Sequence, residues 1–262
     1  MINGVVHQIK NLWNRRDLIK YFVKTDLKII YKNKLFGFLW AIFDPLMMMA
    51  VYIILVVFIF RRGGPQFPIL LFTALLSWRW FIYSLSGAVT SVQGKGKLIQ
   101  SVLFPKAVLP FSRVVVGMIN FFFGLAVLIP LLFFFHANIS WNICWLPVVI
   151  LIQFFLTAGA ALICATLGVY FHDMENIIQY GLRLWFYLSP GLYAVADRIP
   201  DRFVPIYMLN PFAALFNSYK NILVYGTLPS GYLIFTALLA IVFFIFGLVY
   251  FNSKEPDFAK VV

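Results

Sequence analysis

Between residues 18 and 34 the apolar side chains Leu18, Ile19, Phe22, Val23, Ile29 and Ile30 recur at helical spacing, while Lys20, Lys24, Lys28 and Lys32 fall four apart. The pattern predicts an amphipathic helix within residues 10–34, with its apolar side in the headgroup layer and its lysines toward anionic lipid. Residues 37–60 follow, apolar apart from Asp44 and long enough to cross ~30 Å of hydrocarbon at ~1.5 Å per residue. Further apolar runs at 67–92, 108–135, 143–171, 177–195 and 231–251 bring the predicted transmembrane helices to six. The stretch 196–230 is too apolar for an ordinary loop. Its two short runs, 203–209 and 212–225, are split by Asn210-Pro211 and predict two re-entrant helices dipping into the outer leaflet.

These elements define an all-α, polytopic integral membrane fold with one transmembrane domain over residues 1–262. Its parts are the interface helix (10–34), a six-span bundle (37–251) and the outer re-entrant segment (196–230). Composition agrees: 63% of residues are hydrophobic and 11% charged, with mean hydropathy +0.91. Continuous rather than alternating apolar runs exclude an outer-membrane barrel. The net charge of +12 raises nucleic-acid binding, but eight of the 21 Lys and Arg lie in residues 10–34 beside the first span, where topology and lipid account for them. Lys95, Lys97 and Lys106 add to the same side, placing both termini in the cytoplasm. Cys144 and Cys164 read as packing residues.

Candidate chemistry is sparse. His7, His136 and His172 are scattered, so no metal site is expected. Gly94-Lys95-Gly96-Lys97 lacks the spacing and the Ser or Thr of a phosphate loop, so the chain is no enzyme on its own and any ATP chemistry belongs to another subunit. Arg79 lies near the middle of the second span, where an arginine faces protein, water or a partner. Trp78, Trp80 and Tyr83 beside it offer faces for stacking a sugar ring, and Arg61 and Arg62 stand at the outer mouth. Together these residues form a candidate substrate channel. Asp44 and Arg183 lie at similar depth and predict an intramembrane ion pair. Asp26 falls on the apolar side of its helix, and Asp173 stands where it could cap the fifth span.

Several ordered motifs carry a resemblance. They are Asp26-Leu27-Lys28 and Tyr31, Gly37-Phe38-Leu39-Trp40 with Pro45, Phe104-Pro105 with Pro110, His172-Asp173, Ser189-Pro190 with Tyr193, and Asn210-Pro211. The chain resembles the membrane subunit of ATP-binding-cassette exporters for lipid-linked polysaccharides, with teichoic acid as first choice and O-antigen and capsule next. The resemblance implies a separate ATPase subunit in two copies carrying ATP and Mg, a homodimer of this chain, a place in the bacterial cytoplasmic (inner) membrane, and export of a polyprenyl-diphosphate-linked glycan. It also implies ATPase contacts at Asp26, Lys28, Lys97, Phe104, Pro105, Lys106, His172, Asp173 and Glu175. His172 departs from the arginine usual there. A secondary transporter or channel is the alternative. It would need paired broken helices or an acidic relay, and the third, fourth and sixth spans hold no acid.

Overall fold

The computed structural model describes residues 14–32, 35–61, 63–102, 104–191 and 200–261. Arg62, residues 192–199 and the ends of the segment predicted as the interface helix (10–13 and 33–34) lie outside them. All regular structure among the described residues is helical.

Helix α1 (Arg16–Tyr31) buries Phe22, Val23 and Asp26 and leaves Lys20, Lys24, Lys28 and Lys32 exposed. Its apolar face was expected to enter lipid; instead it packs along α5 (Val108–Phe134). The reason is Asp26, whose carboxylate needs polar partners that lipid cannot supply. After Gly37, held at φ 47°, a short 3₁₀ turn leads into α2 (Trp40–Ile53), which continues as π-helix through Ile59. Helix α3 (Phe67–Val89) is the centre of the bundle, packed by α2, α5, α6 (Leu146–Tyr170), α7 (Met174–Leu188) and the outer helix α9 (Pro211–Lys220), and the short α4 (Gly96–Ser101) lies in its connection to α5.

Five segments among the described residues are long and apolar enough to cross a membrane: Trp40–Ile59, Phe67–Val89, Val108–Phe134, Trp141–Tyr170 and Leu233–Val261. The predicted fifth span corresponds to α7, whose 15 residues reach about 22 Å at 1.5 Å per residue. Its predicted continuation to residue 195 lies outside the described residues. Beyond it come α8 (Val204–Tyr207) and α9 (Pro211–Lys220), the latter ending in a π turn at Asn221–Tyr225. The break falls at Asn210-Pro211. Asn210 accepts from the Phe212 N–H at 3.0 Å and the Trp185 indole at 3.2 Å, and donates to the Ser189 hydroxyl at 2.9 Å. One amide thus starts α9 and ties it to the end of α7. Helix α9 is buried along most of its length against α3, α6 and α10 (Leu233–Lys254), so protein covers it.

Two features hold the interior. Gly159 of α6 and Gly247 of α10 face each other so closely that a Cβ on either would overlap the other helix's backbone. Gln153, fully buried in α6, accepts from the Ser77 and Tyr219 hydroxyls at 2.9 and 2.8 Å and donates to the Ser77 carbonyl at 2.8 Å. One side chain therefore joins α3, α6 and α9. We expect Gln153→Leu to strand both hydroxyls and cost about 1–3 kcal/mol, read as a lower melting temperature of the detergent-solubilised protein. Gly159→Leu is expected to separate α6 from α10 and cut the yield of folded protein in size-exclusion chromatography. Of the cysteines, Cys164 is buried as expected, whereas Cys144 sits exposed on the 3₁₀ turn Trp141–Trp145 before α6.

Candidate functional site

The polar side chains gather in two adjoining places. The first is a junction at the end of the bundle that carries α1, the connection from α3 to α5, the α6–α7 turn and the C-terminal segment. Asp26, only 2% exposed, lies 3.8 Å from Lys95 Nζ and 3.4 Å from Arg113 Nε, and the Ser112 hydroxyl donates to it at 3.5 Å. Lys95 stands 3.9 Å above the Phe22 ring, and Phe22 packs on Phe104 with ring centroids 6.2 Å apart. Burial lowers the pKa of the Lys95 ammonium, and the neighbouring Asp26 carboxylate opposes that shift. Through these contacts α1 is fastened both to the connecting turn Gln93–Lys95 and to the first turns of α5.

The opposite flank of the same connection is held by the C-terminus. The Lys106 backbone N–H donates to the Glu255 carboxylate at 2.8 Å, and Lys106 Nζ donates to the Glu255 carbonyl at 2.8 Å. Phe258 packs beside it against Phe251 and Tyr170. Both ends of the chain therefore grip one connection. Asp26 and Lys106 are engaged within the chain, and Phe104 and Pro105 are half-buried beside them. Lys28, Lys97, His172, Asp173 and Glu175 are exposed at this end and open to a partner. Asp173 occupies the cap position of α7, but its side chain accepts no cap hydrogen bond; its backbone carbonyl accepts from the Ile177 N–H instead.

The second place is within the spans. Arg79 donates to Asp44, so the structure pairs Asp44 with Arg79 rather than with Arg183. The reason is packing: α2 lies directly against α3. Arg183 instead rests over the Tyr180 ring at 5.6 Å. A small cavity of about 210 Å³ beside the Arg79–Asp44 pair is lined by Tyr31, Trp80, Tyr83 and Asn120, with the Tyr31 hydroxyl donating to Asn120 at 2.7 Å. A larger cleft of about 530 Å³ opens between α2, α3 and α7, and its walls include Arg79, Arg113, Arg183 and Glu175.

Trp78 and Trp80 are placed differently from expectation. Trp80 is 1% exposed and its indole donates to the Val114 carbonyl at 3.1 Å. Trp78 is 3% exposed in an aromatic cluster, 4.6 Å from Phe212 with Phe81, Trp185 and Phe186 around it. Both bury large apolar areas in the core, so neither offers an open face for sliding sugars. Arg61 is exposed at the far end of the first span, at φ 51°. Lys95, Arg113 and Glu255 are absent from the sequence-based set. In the sequence Lys95 counts only as one of the charges on the cytoplasmic side and Arg113 stands out by nothing; the acidic pair Glu255 and Asp257 just beyond the last span was the available signal for Glu255.

Comparison with known proteins agrees with this architecture. Residues 17–224 match the ABC-2 type transporter family. An O-antigen export system permease protein, RfbA, from Klebsiella pneumoniae is 31% identical over 253 residues, covering 96% of this chain and 97% of that protein. A protein of the same name from Myxococcus xanthus is 31% identical over 261 residues, covering 98% and 100%.

Proposed function

The chain belongs to the ABC-2 type transporter membrane family, and from that premise we propose that it is the permease of an ATP-driven exporter of a lipid-linked O-antigen-type polysaccharide. The observation that carries the reading is the doubly gripped connection at the junction. Asp26 joins a surface helix to the start of α5, and Glu255 holds the same connection from the other side. Such an arrangement passes a push on the outside of the bundle into the spans. The relatives' names favour an O-antigen-type glycan over the teichoic acid first expected from sequence.

In this reading two copies of the chain enclose the glycan path, and two separate ATPase subunits bind ATP and Mg at the face where Lys28, Lys97, His172, Asp173 and Glu175 are exposed. That face is cytoplasmic. ATP-driven closure of the ATPase pair presses on α1 and the two exposed connections. The buried Asp26 contacts transmit the displacement to α3 and α5, and the spans part to pass a glycan carried on a polyprenyl diphosphate. The partner supplies the hydrolysis; this chain's residues bind, transmit and line the path.

The test uses a tagged full-length chain in its native host. We expect it to bring down an ATPase subunit, and its deletion to remove the surface polysaccharide. A chain that captures no ATPase and whose loss leaves the surface glycan intact would overturn the reading.

A further inference from the structure

We propose that Lys220 is a positioning residue for export: it pins the outer end of α7, so that a push on the α6–α7 turn swings α7 about that end. The swing rests on the export reading above; the pin stands on the contacts around Lys220.

The first observation is how unevenly α7 is held within the chain. Its buried side chains are Leu182 and Phe186, both in the half that ends at Leu188. There Trp185 and Phe186 join the aromatic cluster, with ring centroids 5.5 Å from Phe212 and 5.6 Å from Trp78 respectively. The other half, residues 174–181, buries no side chain, and a Cβ on Gly181 would meet nothing within 4 Å. His172, Asp173 and Glu175, exposed to a partner, stand at that loose end. One half of α7 is packed and the other has few contacts to break when it moves.

The second observation is the chemistry of the packed end. Helix α7 reaches about 22 Å, short of ~30 Å of hydrocarbon, so its last carbonyls stop where lipid offers no donor. The outer helices supply the donors. The Tyr207 hydroxyl donates to the Leu188 carbonyl at 2.9 Å, and the Lys220 ammonium donates to the Pro190 carbonyl at 2.6 Å. The Asn210 amide holds the Ser189 hydroxyl between them.

The third is the cost of Lys220 itself. It is 6% exposed, in the last turn of a helix buried against α3, α6 and α10. A buried ammonium is unfavourable unless it is bonded, and the carbonyl end of a helix carries the partial negative charge that suits it. An apolar side chain of similar length would fill the space without burying charge, so the bond to Pro190 is what Lys220 adds. Because α9 is fixed in the bundle, that bond fixes the end of α7 as well.

The experiment uses the full-length chain, with Cys144 and Cys164 replaced, together with its ATPase subunit in nanodiscs. Single spin labels are placed at Tyr180 and Leu188, both exposed, one on each half of α7. A non-hydrolysable ATP analogue with Mg is expected to change the spectrum at position 180 and leave position 188 unchanged. In Lys220→Met the label at 188 is expected to respond as well. Glycan export is expected to fall about tenfold while ATP hydrolysis continues, since the lost contact is a charge-assisted one. Lys220→Arg keeps a charged donor and is expected to silence position 188 again, a rescue that space-filling alone would not give. Tyr207→Phe removes one hydroxyl from the same end and is expected to give a smaller change in the same direction, which tests the pin even if Lys220→Met fails to fold. A label at 188 that responds in the native chain, or stays silent in the Met and Phe variants, overturns the pin while the response at 180 keeps the export reading. Silence of both labels in the native chain overturns the export reading, and the swing with it.

Discussion

Asp26→Ala is expected to abolish glycan export while the ATPase subunit still binds and hydrolyses ATP. In the native chain the Asp26 carboxylate, 2% exposed, neutralises Lys95 and Arg113 together. Without it two cations face each other across a site that burial already makes unfavourable for Lys95. Breaking a buried pair by removing one member costs about 3–5 kcal/mol, and the partial exposure of both cations puts the expected loss at the lower end. That loss falls on the attachment of α1, not on the spans, whose packing around α3 and Gln153 is untouched. The distinguishing readout is the ratio of ATP hydrolysed to glycan delivered, which rises steeply in an uncoupled transporter. Asp26→Asn, which keeps the shape and removes the charge, should behave like alanine, and Asp26→Asn/Lys95→Gln should recover part of the lost stability. If Asp26→Ala exports normally, the junction does not transmit the stroke.

The second large effect is expected at Arg79. Its partner Asp44 sits in the first span, and Arg79→Ala leaves that carboxylate facing the membrane interior alone. An unpaired acid within a transmembrane helix costs roughly 2.5–3.5 kcal/mol on insertion scales, enough to cut the folded population severalfold. Arg79→Ala should therefore lower the yield of monodisperse protein by about fivefold. The neutral pair Asp44→Asn/Arg79→Gln should restore most of it. The charge-swapped pair Asp44→Arg/Arg79→Asp should outperform either single substitution. A swap no better than the singles would show that the two side chains do not share a bond. Export of the restored neutral pair is a separate measurement, and it reports whether Arg79 also serves transport.

Much of the architecture is written in the chain's periodicity. The lysine stripe from Lys20 to Lys32, the long apolar runs and the break at Asn210-Pro211 each reappear as a structural boundary or face. These signals are local, set by helix geometry and backbone chemistry, and need no knowledge of what lies opposite. The pairing of charges is not local. By depth in the sequence Asp44 matches Arg183, and only the direct packing of α2 on α3 selects Arg79 instead. Trp78 and Trp80 share a sequence neighbourhood with Arg79, yet helical rotation turns them into the core. Asp26 was legible as an anomaly, a carboxylate on an apolar face. Its partners Lys95 and Arg113 lie 69 and 87 residues further on, and no spacing rule joins positions so far apart. The clamp by Glu255 is hidden for the same reason.

The central claim, that a partner ATPase drives this chain, is tested most directly by transport in proteoliposomes holding the purified permease with its ATPase subunit and a lipid-linked glycan. The account predicts translocation that requires ATP and Mg and is lost when the ATPase subunit is omitted. Translocation by the permease alone under an ion gradient, without ATP, would contradict it.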